Sequence, residues 1–203
     1  MIDVTRDGDL WTIRINRPDK ANSLTREMLG TLADTFEAAK DARAVILTGE
    51  GKVFSAGADL DEARAGLAVD TVWERLSSAV AAVQGLTVAA LNGTLAGGAM
   101  GMVLACDLRL AVPTAKFFYP VMKLGFMPQP SDPVRMSQLI GPARTKLILM
   151  GGQKITATEA LTFGLVDRLV EPDALMAEAQ AWVQDTLAAK PEIAMGIKEL
   201  CRR

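Results

Sequence analysis

Apolar and polar positions alternate along Leu10–Ile15 (LWTIRI), the period of a half-buried strand. Asp3 and Val4 precede it across Asp7-Gly8-Asp9, so the first segment reads as a hairpin. The pattern then breaks at Pro18 and Asp19, in the loop NRPDKANSL. Thr25 is a candidate N-cap for a helix whose apolar face carries Met28, Leu29, Leu32, Phe36 and Ala39 and runs to about Lys40. Residues 44–48 (AVILT) form a short unbroken apolar run, the signature of a strand buried on both faces. A turn at residues 49–52 leads into VFSAGADL, where small residues let a ligand approach the backbone closely. Helical spacing returns over about residues 69–83, through Val72, Leu76, Val80 and Val83.

Residues 86–91 predict another strand, which delivers the stretch ALNGTLAGGAMGMVLACDLR. That stretch turns at Asn92-Gly93, passes Gly97-Gly98 and continues at helical spacing. Such a passage exposes backbone N–H groups at a helix start, where they can hold negative charge. Close packing of a helix on a strand would also select these small residues, and on this stretch alone both readings stand. Short strands follow over residues 108–112 and 116–118, then a proline-rich loop through Pro120, Pro128, Pro130 and Pro133. Helices are expected over residues 133–140, 143–150, 157–163 and 175–188, with a short strand at 166–170. Strands and helices alternate first and helices dominate later, so the fold class is α/β with a helical C-terminal region.

Composition narrows the chemistry. Half of the 203 residues are hydrophobic and the net charge is −2, which suits one globular unit with a sizeable core and argues against wholesale nucleic-acid binding. Apolar runs are interrupted before the roughly 18 residues that a membrane span needs. The polar start MIDVTRDGDL does not read as a signal peptide. The two cysteines, Cys106 and Cys201, form no metal or redox motif, and a reducing cytoplasm is the natural compartment. Histidine is absent, which removes Ser-His-Asp and Cys-His catalysis and His-based zinc sites. Proton transfer falls to Asp, Glu, Lys, Tyr, a thiol, the substrate or water.

VFSAGADL, followed some thirty residues later by LNGTLAGGAMGMVLACDLRLA, closely resembles the crotonase (enoyl-CoA hydratase/isomerase) superfamily. INRPDKANSL, the PTAKF run, GPARTKLILMGGQKITATEALTFGLVDRLV and KPEIAMGIKEL extend the resemblance over nearly the whole chain. It implies a spiral of ββα units over about residues 1–130 and a helical part over about 131–203, together one crotonase-like domain. It implies a homo-oligomer, a trimer or a dimer of trimers, and an acyl-CoA ligand, with coenzyme A entering as part of that ligand and no metal or other cofactor.

The resemblance also assigns residues. The backbone N–H groups of Ala58 and Gly98 would polarise the thioester carbonyl and hold an enolate oxygen. Gly97 and Ala56 would supply the lack of bulk this requires. Lys20 and Ala21 would belong to the CoA-facing loop, Lys20 meeting a phosphate or standing exposed. Ala56, Asp59 and Leu60 would lie near the adenine, with Asp59 also a candidate helix cap.

The family's hydratase glutamates are replaced. The position three residues after Gly98 is Gly101, and the position after Pro120 is Val121, so standard hydration is not expected. Gln129 aligns with a further acid position found in some members and is not an acid. Asp132, three residues on, is either a catalytic acid/base or the N-cap of the next helix. Tyr119 is either a hydrogen-bond donor toward the site or a structural tyrosine. Met100, Met102, Met122 and Met127 either line an acyl pocket or belong to the core. The family pattern continues beyond KELCRR into a last helical segment: its loss predicts a more open pocket or a cover from a neighbouring subunit, and the alternative is that the sequence is an incomplete chain. Two functions follow: enolate chemistry on an acyl-CoA thioester, or non-catalytic acyl-CoA binding on the same fold. A purely oligomerising subunit fits least well, because both CoA-side motifs are kept.

Overall fold

A computed structural model describes residues 1–201; positions 202 and 203 of the expected helical part lie outside the described residues. The chain begins with an antiparallel hairpin, β1 (Ile2–Asp7) and β2 (Leu10–Ile15). The turn closes at Gly8, whose φ of +56° is a left-handed conformation that glycine adopts without strain. After the NRPDKANSL loop, α1 (Arg26–Ala38) starts at Thr25, whose side chain accepts the Met28 N–H at 3.2 Å. Its inner face is Met28, Leu29, Leu32, Ala33 and Phe36.

A repeating unit follows. β3 (Ala44–Gly49) and β4 (Val53–Ser55) lead into α2 (Leu60–Arg64) and α3 (Val72–Ala82). β5 (Leu86–Leu91) and β6 (Thr94–Ala96) lead into α4 (Met100–Leu104). β7 (Leu108–Ala111) and β8 (Lys116–Phe118) lead into α5 (Val121–Leu124) and α6 (Asp132–Leu149). The first strand of each pair joins one sheet and the second joins another. β9 (Ile155–Thr156), α7 (Ala157–Phe163), β10 (Arg168–Leu169), α8 (Leu175–Ala188) and α9 (Pro191–Cys201) complete the described chain. The larger sheet has the order β1-β2-β3-β5-β7-β10 and the smaller one β4-β6-β8-β9. Within each, the strands of successive units pair in parallel. The expected α/β spiral of ββα units is therefore present. Parallel pairing with helices over it explains why β3 is buried at every position.

Several boundaries differ from the sequence expectation. The helix expected over about residues 69–83 starts at Val72, because residues 67–69 form a 3-10 turn and Asp70 Oδ1 accepts the Val72 N–H at 2.7 Å. The two helices expected on either side of residue 141 are α6 with a break at Gly141, where φ is +77°. The strand expected over 166–170 shrinks to β10, whose two residues pair with Leu110 and Ala111. Among the described residues no helix is long and apolar enough to cross a membrane.

Candidate functional site

The site grows from the loop after β4. Hydrogen bonds account for most N–H groups of the Ala56–Asp59 run. Ala56 N–H donates to the Ala21 carbonyl at 3.0 Å, and Gly57 N–H to Ser55 Oγ at 3.2 Å. Asp59 N–H donates to the Leu24 carbonyl at 2.9 Å, while Leu24 N–H donates to the Gly57 carbonyl at 2.8 Å. These last two bonds form a parallel bridge centred on Ala58, so the Ala58 N–H points away from Leu24. It alone in this run lacks an acceptor among the described residues.

Against this loop lies the passage after β6. A Cβ on Gly57 would stand 2.9 Å from the Ala96 carbonyl oxygen and 3.4 Å from Gly97 Cα. Gly57 has a φ of +91°, so conformation and contact both demand glycine there, while at Gly97 the φ of +59° alone does. Gly98 sits in the first turn of a 3-10 helix (residues 97–99), where no preceding helical carbonyl can accept its N–H. A Cβ there would come 3.1 Å from the Trp73 ring, and the Trp73 indole N–H is itself held by the Leu67 carbonyl at 2.8 Å. Close packing against Trp73 accounts for glycine at 98, and Gly98 also lines a cavity.

That cavity has a volume of about 220 Å³. Ala56, Ala58, Ala96, Gly97 and Gly98 form one wall, and Trp73, Tyr119, Val121, Leu124, Phe126 and Met127 form much of the rest. Among the described residues no charged side chain lines it. Leu60 lines its mouth and is exposed, as are Leu124, Phe126 and Met127. Of the four methionines in question, Met127 lines the cavity, Met122 is exposed, and Met100 and Met102 are core.

Asp132 lies behind this wall. It is fully buried, and its Oδ2 accepts the Tyr119 O–H at 3.0 Å. Its Oδ1 has no hydrogen-bond partner among the described residues. A Cβ on Gly101 would stand 2.6 Å from that oxygen. The carboxylate thus occupies the space a side chain at position 101 would enter. The N-cap of α6 is Ser131, so Asp132 is the first residue inside the helix and its side chain caps nothing. Glu74 Oε2 accepts from both the Ser131 N–H (3.3 Å) and the Ser131 hydroxyl (3.1 Å).

Burial pushes the Asp132 carboxyl up to about 7, with Glu74 adding to the rise and Tyr119 and Arg135 opposing it. Tyr119 is pushed well above the usual phenol range by burial and by the neighbouring Asp132. Cys106 is buried, and its thiol is pushed up to about 12 by desolvation, so it is an inert core residue.

The loop residues sort differently. Lys20 ends a 3-10 turn (residues 18–20), is exposed and stands outside the cavity wall. Ala21 also lies off the wall, and its carbonyl holds the Ala56 N–H. Asp59 caps α2 through the Asp61 N–H (3.2 Å) and pairs with Arg17 at 2.8 Å, so both its oxygens are engaged within the protein. The Arg17 guanidinium holds its carboxyl below the usual carboxylate range.

Sequence reasoning missed three supports. Asn22 is buried at φ +54°, accepts the Arg17 N–H, and donates to the carbonyls of Glu50 (2.9 Å) and Val53 (2.7 Å). Ser55 donates to the Asn22 carbonyl. Trp73 forms the wall behind Gly98. The asparagine itself is the signal that could have found the left-handed position, since Asn tolerates it better than other side chains. Among the described residues no group of three or more His, Cys, Asp or Glu side chains is arranged to hold a metal ion.

Comparisons with known proteins converge on one family. A family model described as enoyl-CoA hydratase/isomerase matches residues 5–203. A probable enoyl-CoA hydratase, echA6, from Mycobacterium tuberculosis is 34% identical over 194 residues, covering 94% of this chain and 78% of that protein. A putative enoyl-CoA hydratase/isomerase, YngF, from Bacillus subtilis is 38% identical over 178 residues, covering 83% and 68%. The crystal structure of an enoyl-CoA hydratase from Bacillus anthracis superimposes with a TM-score of 0.91 at 31% identity, covering 100% of this chain and 82% of that one.

Proposed function

The chain belongs to the enoyl-CoA hydratase/isomerase family, and on that premise we propose that it binds an acyl-CoA thioester and stabilises the thioester enolate. The Ala58 and Gly98 N–H groups are the oxyanion donors of this reading. Negative charge moves onto the thioester oxygen as Cα loses a proton, and two preorganised donors lower the cost of that charge. The observation that carries the reading is that Ala58, whose N–H alone in its run lacks an acceptor among the described residues, and Gly98, in the first turn of a 3-10 helix, line one cavity.

The apolar lining suits an uncharged hydrocarbon acyl chain. The cavity volume of about 220 Å³ suits the acyl end, with the nucleotide outside over the Ala56–Leu60 loop and Lys20 free to meet a phosphate. Hydration is not part of the proposal. Gly101 and Val121 offer no acid, and addition of water needs a carboxylate that faces the water it activates. Asp132 is the carboxyl of this site that we assign to proton transfer. Assembly as a trimer or a dimer of trimers belongs to the same reading.

Calorimetric titration with a saturated, uncharged acyl-CoA and with free CoA tests binding. Tighter binding of the thioester supports the proposal, and no binding of any acyl-CoA overturns it. Crotonyl-CoA is expected to keep its enoyl absorbance in the presence of the protein. Its disappearance at a hydratase-like rate contradicts the assignment.

A second reading, a non-catalytic acyl-CoA binder, is favoured by one observation: Asp132 does not line the cavity. Exchange of the acyl α-proton with solvent separates the two.

A further inference from the structure

We propose that Tyr119 and Asp132 form a proton relay in which Tyr119 is the catalytic residue facing the substrate and Asp132, behind it, is the terminal proton acceptor. The inference rests on the acyl-CoA reading above and deepens it, because it names the group that takes the α-proton and the class of reaction that results.

Three observations carry it. Tyr119 lines the cavity and Asp132 does not. The Tyr119 O–H to Asp132 Oδ2 hydrogen bond, at 3.0 Å, is the polar link between that wall and the buried carboxyl. Among the described residues the other carboxyl oxygen, Oδ1, is buried without a partner against Gly101, where no side chain competes for the space. A buried carboxyl with one oxygen unpaired is costly to keep, and native structures seldom carry such a group without a use.

Ionised Asp132 accepts the Tyr119 phenol proton on Oδ2 while the Tyr119 oxygen takes the proton from the substrate Cα. The Cα–H electron pair moves into the enolate, whose oxygen lies between the Ala58 and Gly98 N–H groups. Tyrosine remains a neutral phenol before and after the step, and Asp132 becomes a neutral acid. A free tyrosinate is never formed, which matters because burial and the neighbouring carboxylate hold the Tyr119 phenol protonated. The reverse step returns a proton to Cα, or to Cγ when the acyl chain carries a β,γ double bond. One relay of this kind supports α-proton exchange and double-bond isomerisation. It does not support hydration, which needs a second group for water.

The relay sets a pH dependence. The groups facing Asp132 are Tyr119 from the loop before α5, Glu74 from α3 and Arg135 from its own helix. Together with burial they hold its carboxyl near 7. Exchange therefore rises as pH climbs toward about 7 and levels off above it, because the acceptor must be ionised.

The test measures solvent deuterium uptake at Cα of a saturated acyl-CoA by mass spectrometry, from pH 5 to 9, with acyl-CoA affinity measured in parallel. Wild type is expected to exchange with the rising limb. Tyr119→Phe is expected to lose about 100-fold or more with affinity unchanged, and Asp132→Asn to lose the pH limb as well as the rate. A Tyr119→Phe protein exchanging within about threefold of wild type would overturn the relay, leaving the enolate reading standing. An Asp132→Asn protein that keeps the limb would overturn it in the same way. A wild type that binds acyl-CoA tightly and exchanges nothing would overturn the relay and the enolate reading together.

Discussion

Asp132 and Gly101 share one space: the Asp132 Oδ1 atom lies 2.6 Å from where a Cβ on Gly101 would stand. The glycine that replaces the expected glutamate is thus the condition for the aspartate on α6. In a helix interior alanine is favoured over glycine by about 1 kcal/mol. In this chain Gly101→Ala is expected to destabilise by about 1–3 kcal/mol, the usual cost of overpacking. In an Asp132→Ala background the same substitution should become neutral or stabilising. Urea denaturation of the four proteins checks the change of sign, and additive effects would contradict the contact.

The buried Asp132 carboxyl also sets a pH signature on stability. Its folded value of about 7 lies above its ordinary 3.8, so between those values the folded state binds more protons than the unfolded state. Stability is therefore highest below about pH 4 as far as this group is concerned, falls as pH rises toward 7, and is flat above. The total is on the order of 4 kcal/mol. Asp132→Asn should remove most of that slope and be more stable than wild type at pH 8. Thermal melts across pH measure it.

Gly57 joins the two loops of the site. Alanine there would adopt φ +91° and press its Cβ to 2.9 Å from the Ala96 carbonyl. The backbone strain alone costs about 1–3 kcal/mol. Because the loops must part, Gly57→Ala is expected to weaken acyl-CoA binding more than tenfold in a protein that still folds. Calorimetry reads the affinity and circular dichroism the fold.

Asn22 ties its own loop to the turn between β3 and β4. Asn22→Ala would leave the Arg17 N–H and the Glu50 carbonyl without their side-chain partner and the Val53 carbonyl with Asn92 alone, and would retain an unfavourable φ of +54°. A loss of about 2–4 kcal/mol is expected from the unpaired polar groups. Asn22→Asp keeps the acceptor for Arg17 but turns a buried carboxylate oxygen toward the Glu50 and Val53 carbonyls, so it should lose at least as much, which guanidinium denaturation measures.

The elements written into local pattern were legible in the sequence. Leu10–Ile15 and the buried run of β3 follow from alternation and continuity, and Thr25 from capping chemistry. The SAGAD and AGGAM stretches stood out because close backbone approach leaves only small residues. The Tyr119–Asp132 pair was not legible, since 13 residues separate its members and proline-rich chain hides their geometry. Asp132 before Pro133 looks like a cap in one dimension, whereas Ser131 takes that position. Gly101 looked like a simple loss until the carboxylate lying over it was located in space. Asn22 and Trp73 escaped notice because their work is done on residues far away in sequence, at 50, 53 and 98.

The most direct measurement is the infrared stretch of a 13C-labelled thioester carbonyl in a saturated acyl-CoA bound to the protein. Two N–H donors aimed at that oxygen should lower the frequency relative to the ligand in water. Gly98→Pro, which removes one donor, should reverse much of the shift and weaken enolate formation by about 3–4 kcal/mol. A bound thioester whose carbonyl absorbs at its solution frequency would contradict the assignment of Ala58 and Gly98.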